Sequence, residues 1–287
     1  MNFCSYHRPT SLTELYLLLE RERNTPLFLS GGTDILVQDR ANGKYVGRAV
    51  YDLTALPELK EIRRNDDTLL IGGEVTHSAV ANSPLVCQLA GPLAAACGMV
   101  GAVQLRNRAT LGGNIANASP AGDSLGPLAA LDAVICTDYL GSMRQIPITE
   151  LIEAPGILRL DQREFIRDIR IPALPADAQW RFRKIGRREA LAISRLTLTL
   201  VLRLAEDLSI SDFRAAVGAV FPRPMRFPVA AGQFIGRILT EDTCCEMAEA
   251  ISAKIPEITG MRASTRYPQP VTKLVCKRLL MEMEVFS

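Results

Sequence analysis

The segment TLGGNIANASPAGD, from Thr110 to Asp123, concentrates glycines and small polar side chains. It contains the pair Gly112 and Gly113 and the amide of Asn114. Paired glycines allow the backbone to approach a ligand closely and to present its N–H groups, while Thr and Asn add side-chain donors. These donors suit a pyrophosphate, and the single carboxylate suits a ribose or ribityl hydroxyl. The simpler alternative is a tight turn before a helix of small residues.

Another segment of the same chemistry, LSGGTDI at residues 29–35, weakens that alternative. Neither segment matches the dinucleotide fingerprint G-x-G-x-x-G or the phosphate loop G-x-x-x-x-G-K-[ST], so a simple Rossmann NAD site and nucleotide hydrolysis are both disfavoured. The two segments are about 80 residues apart. A ligand that contacts both must therefore lie between two subdomains, and a large dinucleotide such as FAD fits better than a small phosphate.

Lys184 is a third candidate, because it lies between apolar neighbours in a predicted strand. Its ammonium group could approach a delocalised anion such as the N1/O2 edge of reduced flavin. The alternative is a basic strand that faces water or a partner. Asp34 and Glu74 each follow a Gly-Gly pair and could equally cap a helix. We interpret His77 as a structural histidine rather than a base.

Composition sets limits on the function. Lys and Arg total 33 against 31 acidic residues, and a net charge of +2 provides no field for capturing nucleic acid. The sequence has neither an apolar run long enough to span a membrane nor the features of a signal peptide, so a cytoplasmic protein is expected. Its seven cysteines include no C-x-x-C pair and it has two histidines, so no metal or iron–sulfur site is expected in this chain.

Apolar periodicity predicts the helices and strands that position these candidate residues. Strands are predicted at 27–29, 49–53, 69–71, 133–136, 164–171, 196–204 and 213–220. Helices are predicted after a capping box at Ser11 and after Ser83, over 125–131, from a cap at Thr243, and over about 270–284. Gly-Gly pairs at 31, 72 and 112 are about 40 residues apart, but their surroundings differ and a repeat is rejected.

The segment LPADA at residues 174–178 has the character of a domain connection. Beyond it, alternating strands and then two helices indicate a small α+β domain. The sequence therefore predicts an FAD-binding domain over 1–175, with subdomains at about 1–55 and 56–175, and a C-terminal domain over 176–287.

Three segments together resemble the FAD-binding subunit of molybdenum hydroxylases, the xanthine dehydrogenase, carbon monoxide dehydrogenase and nicotinate dehydrogenase group. They are residues 29–35, residues 110–123, and KIGRR at 184–188 followed by Ile193 and Ser194. The resemblance covers nearly the whole chain. It implies an α+β chain with a two-subdomain FAD-binding fold of the vanillyl-alcohol-oxidase/PCMH type and a C-terminal α+β flavoprotein domain.

The resemblance also assigns roles to residues, none of them catalytic or metal-binding. Both glycine segments would contact the pyrophosphate, Asp123 a ribose or ribityl hydroxyl, Ile166 an adenine or the ring, and Lys184 the isoalloxazine. The implied cofactor-binding residues are Phe28, Leu29, Ser30, Gly31, Gly32, Thr33, Asp34, Ile35, Thr110, Gly112, Gly113, Asn114, Ser119, Asp123, Ile166 and Lys184.

The resemblance implies an electron-transfer subunit. It would take electrons from the [2Fe–2S] clusters of a small subunit, which in turn receive them from a molybdopterin large subunit, with NAD⁺ as the candidate acceptor. Many relatives carry Asp where this chain has Ala192, and Leu191 cannot stack on a flavin, so the acceptor stays open. The alternatives are a stand-alone FAD oxidoreductase of the same fold and a non-redox nucleotide-binding accessory or assembly protein.

Overall fold

The computed structural model describes residues 3–188, 191–260 and 266–283. The strands in these residues are β1 (Ser5–His7), β2 (Leu27–Leu29), β3 (Ala49–Asp52), β4 (Ile62–Asn65), β5 (Thr68–Gly72), β6 (Val134–Tyr139), β7 (Ser142–Pro147), β8 (Ile152–Ala154), β9 (Ile157–Leu158), β10 (Phe165–Pro172), β11 (Gln179–Ile185), β12 (Leu196–Leu204), β13 (Ile210–Gly218) and β14 (Met225–Arg226). The α-helices are α1 (Leu12–Arg21), α2 (Ile35–Asn42), α3 (His77–Asn82), α4 (Pro84–Leu89), α5 (Gly91–Gly98), α6 (Val103–Arg106), α7 (Leu111–Asn117), α8 (Leu125–Ala130), α9 (Ile148–Leu151), α10 (Pro228–Gly232), α11 (Glu241–Thr259) and α12 (Pro268–Met281).

The first sheet is parallel, has the strand order β1-β3-β2 and carries α1 on one face. The Ser11 hydroxyl caps α1 by accepting a hydrogen bond from the Glu14 N–H at 3.2 Å, as the capping box predicts. Leu15 and Leu19 of α1 are fully buried in a core shared with Tyr51 of β3. This packing fixes β2. Its last residue begins residues 29–35, which we call the first glycine segment because it comes first in the chain.

The second sheet is antiparallel, with the order β4-β5-β10-β6-β7. Its buried residues, Ile71 and Ile169 among them, share one apolar core with the helices α3 to α5, α7 and α8. The sequence did not predict β4, since Arg63 and Arg64 are polar and exposed at the sheet edge. Helix α7 lies within the second glycine segment in chain order, residues 110–123, so this core positions that segment.

The third sheet is antiparallel, with the order β11-β12-β13-β14. Leu198, Leu200 and Leu202 of β12 pack into a core with α11 and α12, as the period-2 pattern predicts. The alternate residues Thr197 and Thr199 are buried as well, and they lie against α8. Both faces of this strand are therefore covered.

One predicted helix start is corrected. The N-cap of α11 is Thr240, and its hydroxyl accepts a hydrogen bond from the Thr243 N–H at 3.2 Å. Thr243 itself lies in the first turn and donates its hydroxyl to Ile238 O at 2.9 Å. The earlier start places Glu241 and Asp242 in the first turn, where acidic side chains are favoured. None of the helices in the described ranges is long and apolar enough to cross a membrane.

Candidate functional site

A cavity of about 600 Å³ lies where the first glycine segment, α7 and β11 meet. Every predicted cofactor residue except Leu29 lines it. The lining residues that were predicted are Phe28, Ser30, Gly31, Gly32, Thr33, Asp34, Ile35, Thr110, Gly112, Gly113, Asn114, Ser119, Asp123, Ile166 and Lys184. The Leu29 side chain instead packs into a small apolar cluster with Tyr45 and Val50. The structure thus brings the two glycine segments and Lys184 to one place.

The first glycine segment presents free backbone donors to this cavity. Among the residues that the structure describes, no hydrogen bond uses the N–H groups of Gly31, Gly32 or Thr33. Gly32 has a φ of +75°, in the left-handed region that glycine adopts without strain. Successive unpaired N–H groups in such a turn form a concave site for an anion.

The glycines let the two segments come into backbone contact. A Cβ at Gly31 would lie 2.1 Å from Arg108 O, and one at Gly112 would lie 2.6 Å from Gly73 O. The Gly112 N–H donates to Gly73 O at 3.0 Å. Gly73 of the third glycine pair therefore lines the same cavity.

On the α7 side, the donors that remain for a ligand are side chains. The Thr110 hydroxyl caps α7 by accepting from the Gly113 N–H at 3.0 Å, and the Gly112 N–H is engaged by Gly73. Thr110 keeps its own hydroxyl proton. Asn114 accepts from the Ser124 hydroxyl at 2.7 Å through Oδ1, and its amide N–H₂ has no partner in the described part of the chain.

We expect Thr110→Ala to lower the free energy of unfolding by about 1 kcal/mol, because it removes the cap of α7. It should also weaken FAD binding by about tenfold through the loss of one donor. Ser83→Ala is the matched control, since Ser83 caps α4 in the same way, through the Val86 N–H, and does not line the cavity. Urea unfolding and FAD titration would measure both. Equal losses of FAD affinity in the two variants would contradict the assignment of Thr110 as a donor.

Asp123 and Lys184 form an ion pair at the other end of the cavity. The Lys184 Nζ lies 2.5 Å from Asp123 Oδ2 and 3.0 Å from Met99 O, and the Ser194 hydroxyl donates to Asp123 Oδ1. The side chains are 6% and 12% exposed for Asp123 and Lys184, respectively. Burial raises the pKa of the Asp123 carboxyl, although the hydrogen bonds from Lys184 and Ser194 oppose that shift. Because β11 supplies Lys184, this pair joins the third sheet to the second glycine segment.

Glu74 and His77 are buried titratable side chains that line the cavity and were not predicted as site residues. The Ser30 hydroxyl donates to Glu74 Oε1, while Glu74 Oε2 has no partner among the described residues. Burial raises the pKa of Glu74 to about 7. His77 is fully buried with its Nδ1 3.2 Å from Cys97 Sγ, and burial lowers its pKa to about 4. The sequence contains a feature that could have identified Glu74 as a site residue, because Glu74 follows a Gly-Gly pair just as Asp34 does.

Exposed apolar side chains line part of the cavity, and exposed arginines lie near them in the sequence. Leu191 and Ile193 line the cavity, and Ile193 is 80% exposed. Arg183, Arg187 and Arg188 are exposed close by along the chain, and no carboxylate of the described residues forms a salt bridge with them. No aromatic side chain lies between 191 and 195.

Comparison with known proteins shows similarity along almost the whole chain. The family described as FAD binding domain in molybdopterin dehydrogenase matches residues 1–174, and the CO dehydrogenase flavoprotein C-terminal domain matches residues 180–283. The nicotinate dehydrogenase FAD-subunit of Eubacterium barkeri is 27% identical over 285 residues, covering 97% of this chain and 95% of the relative. The xanthine dehydrogenase FAD-binding subunit of Escherichia coli O157:H7 is 28% identical over 285 residues, covering 98% and 96%.

A solved structure of carbon monoxide dehydrogenase from Hydrogenophaga pseudoflava superposes with a TM-score of 0.87 at 25% identity, over 97% of this chain and 96% of that one. The fold expected from the resemblance is therefore confirmed. The first family alone accounts for more than half of the chain. This chain belongs to the family of FAD-binding domains of molybdopterin dehydrogenases.

Proposed function

We propose that this protein is the FAD-containing electron-transfer subunit of a molybdenum hydroxylase complex. The observation that carries the proposal is the cavity between the two glycine segments, which offers free N–H groups at one end and the buried Lys184 ammonium at the other. An extended dinucleotide needs anion donors and a separate ring site, and the two ends supply these chemistries. The donor set fits FAD. The close backbone contacts at Gly31 and Gly112 leave no room for a side chain at either position.

Each part of the cavity has its own task in this proposal. Gly31, Gly32 and Thr33 would donate N–H groups to the diphosphate from one side, and Thr110 and Asn114 would donate from the other. Lys184 would hold a positive charge beside the isoalloxazine ring. Bound FAD supplies the redox chemistry, accepting electrons in pairs or singly. Asp123 is the counter-ion of the Lys184 ammonium in a site that excludes most water, and it retains lone pairs for a ribose or ribityl hydroxyl.

The partners and the acceptor belong to the same proposal. A small subunit would carry the [2Fe–2S] clusters and a large subunit the molybdopterin, which agrees with names such as carbon monoxide dehydrogenase medium chain among the relatives. No group of three metal-binding side chains lies in the described ranges, so clusters would have to come from a partner. NAD⁺ is the proposed acceptor, and the exposed arginines that neighbour Lys184 in the chain favour an anionic one. The proposal keeps a cytoplasmic location and the domain division 1–175 and 176–287.

Purified protein tests the function against its alternatives. We expect a yellow protein with flavin absorbance near about 450 nm that NADH bleaches. A colourless protein that takes up no added FAD would instead support the alternative of a non-redox nucleotide-binding accessory or assembly protein. Purification from the native host should yield a molybdenum and iron–sulfur partner. A partner-free flavoprotein that turns over its own substrate would support the stand-alone oxidoreductase.

A further inference from the structure

Among the described residues, the Glu74 carboxylate accepts one hydrogen bond, which the Ser30 hydroxyl donates. Glu74 is 5% exposed at the floor of the cavity and receives its hydrogen bond from the first glycine segment. The charged groups that act on it are the Asp52 carboxylate at the end of β3, which disfavours its ionised form, and Lys60, which favours it. Burial dominates and raises the pKa of Glu74 to about 7.

A hydroxyl group has one proton, so Ser30 can donate to one acceptor at a time. An ionised carboxylate accepts but cannot donate, and it therefore takes the Ser30 proton. The diphosphate of FAD also offers only acceptor oxygens near neutral pH. While Glu74 is ionised, Ser30 would turn its lone pairs towards the diphosphate, which is an unfavourable contact. When Glu74 is protonated, its O–H can donate to Ser30 Oγ, and the Ser30 proton becomes free for the diphosphate.

We propose that Glu74 is a positioning residue that takes up one proton when FAD binds, so that its hydrogen bond with Ser30 reverses and the Ser30 hydroxyl donates to the diphosphate. The proton passes from solvent to a carboxylate oxygen of Glu74, and no covalent bond changes. This inference rests on the proposed function, because it requires that FAD occupies the cavity. It makes FAD uptake a proton-linked step, in which Glu74 acts through Ser30 rather than by touching the cofactor.

The linkage has a definite sign. A group that is protonated in the complex and titrates near pH 7 in the free protein leaves affinity unchanged below about pH 7 and lowers it by up to tenfold per pH unit above. We therefore expect the FAD dissociation constant of the full-length apoprotein to rise about tenfold or more between pH 6.5 and 8.5. His77 titrates well below this range, since its pKa is about 4.

We call the proton-linked reversal of the Ser30–Glu74 hydrogen bond the relay. The variant Glu74→Gln separates this relay from a purely structural role of Glu74. Its amide N–H₂ can donate to Ser30 permanently, so the variant should keep tight binding and lose the pH dependence. Ser30→Ala should bind weakly already at pH 6.5 and lose most of the slope. Glu164→Gln is the control, because Glu164 lines the same cavity but bonds to Arg144, and this variant should keep the wild-type slope.

Calorimetric titration of the unmodified protein with FAD, in buffers that differ in ionisation enthalpy, gives a second measurement that needs no variant. At pH 7.5 the expected result is uptake of most of one proton per FAD. Proton release, no proton exchange, or a wild-type affinity that is constant from pH 6.5 to 8.5 would overturn the relay and leave the FAD site standing. Absence of FAD binding at every pH would overturn the proposed function and the relay together.

Discussion

Gly31→Ala should cost the protein about 3 kcal/mol of FAD binding, a loss of more than about a hundredfold in affinity. The new Cβ would lie 2.1 Å from Arg108 O, 2.7 Å from Arg108 C and 2.9 Å from Ala109 Cα, all of them backbone atoms. A flexible side chain could move aside, but this backbone is held by hydrogen bonds from the Arg108 and Ala109 N–H groups to Leu105 O. The two glycine segments would have to separate, and the donors would no longer converge on one ligand.

Gly232→Ala is the matched control for Gly31→Ala. Gly232 lies in α10 and a Cβ there would meet nothing within 4 Å, so this variant should fold and bind FAD like the parent. FAD content after gel filtration and a titration of the apoprotein would measure both variants. Retention of stoichiometric FAD by Gly31→Ala would show that the two segments do not need their close contact to hold the cofactor.

Asp123→Ala should destabilise the protein by about 3 kcal/mol, because it leaves the Lys184 ammonium buried without its counter-ion. The remaining bond of Lys184 to Met99 O is a weaker compensation. FAD affinity should also fall, since an unpaired lysine no longer has a fixed position at the ring end of the cavity. The single tryptophan, Trp180, lies in β11 with Lys184 and offers a fluorescence signal for urea unfolding.

A second substitution shows whether the charge is the cause. Lys184→Met in the Asp123→Ala background should recover much of the lost stability, because replacing both ions by apolar groups removes the buried charge. It should not recover FAD affinity. Asp177→Ala is the surface control: its exposed pair with Arg203 is screened by water and should contribute little to stability. Equal destabilisation by the two aspartate substitutions would contradict the buried role of Asp123.

The cavity could be predicted from the sequence to the extent that its residues are adjacent in the chain. Paired glycines with Thr, Ser and Asn nearby indicate an anion site wherever they occur, so residues 29–35 and 110–123 were recognisable without a structure. The helices and strands around these segments could also be predicted from neighbouring residues in the chain. The capping box at Ser11 and the apolar strand at 27–29 depend on short-range patterns that the structure reproduces.

The rest of the site depends on contacts between distant parts of the chain. Nothing in the local sequence shows that Asp123 pairs with Lys184, which is 61 residues away. Gly73 meets Gly112 because the second sheet and α7 share a core, and this contact brings Glu74 and His77 to the cavity. Leu29 lies within a contiguous stretch of predicted site residues, but its side chain packs against Tyr45 and Val50, which are distant from it in the sequence.

The burial of Thr197 and Thr199 against α8 has a consequence for the order of folding. Val201 and Ala216 of the third sheet belong to the same apolar core as the helices of the second sheet. That core is complete only after the last strands have been made and docked, and such long-range contacts form slowly because loop closure costs entropy first. The ribosome therefore releases the first glycine segments long before Lys184 can reach them. We expect cofactor incorporation to be a late, post-translational step, with a colourless intermediate that precedes the yellow protein.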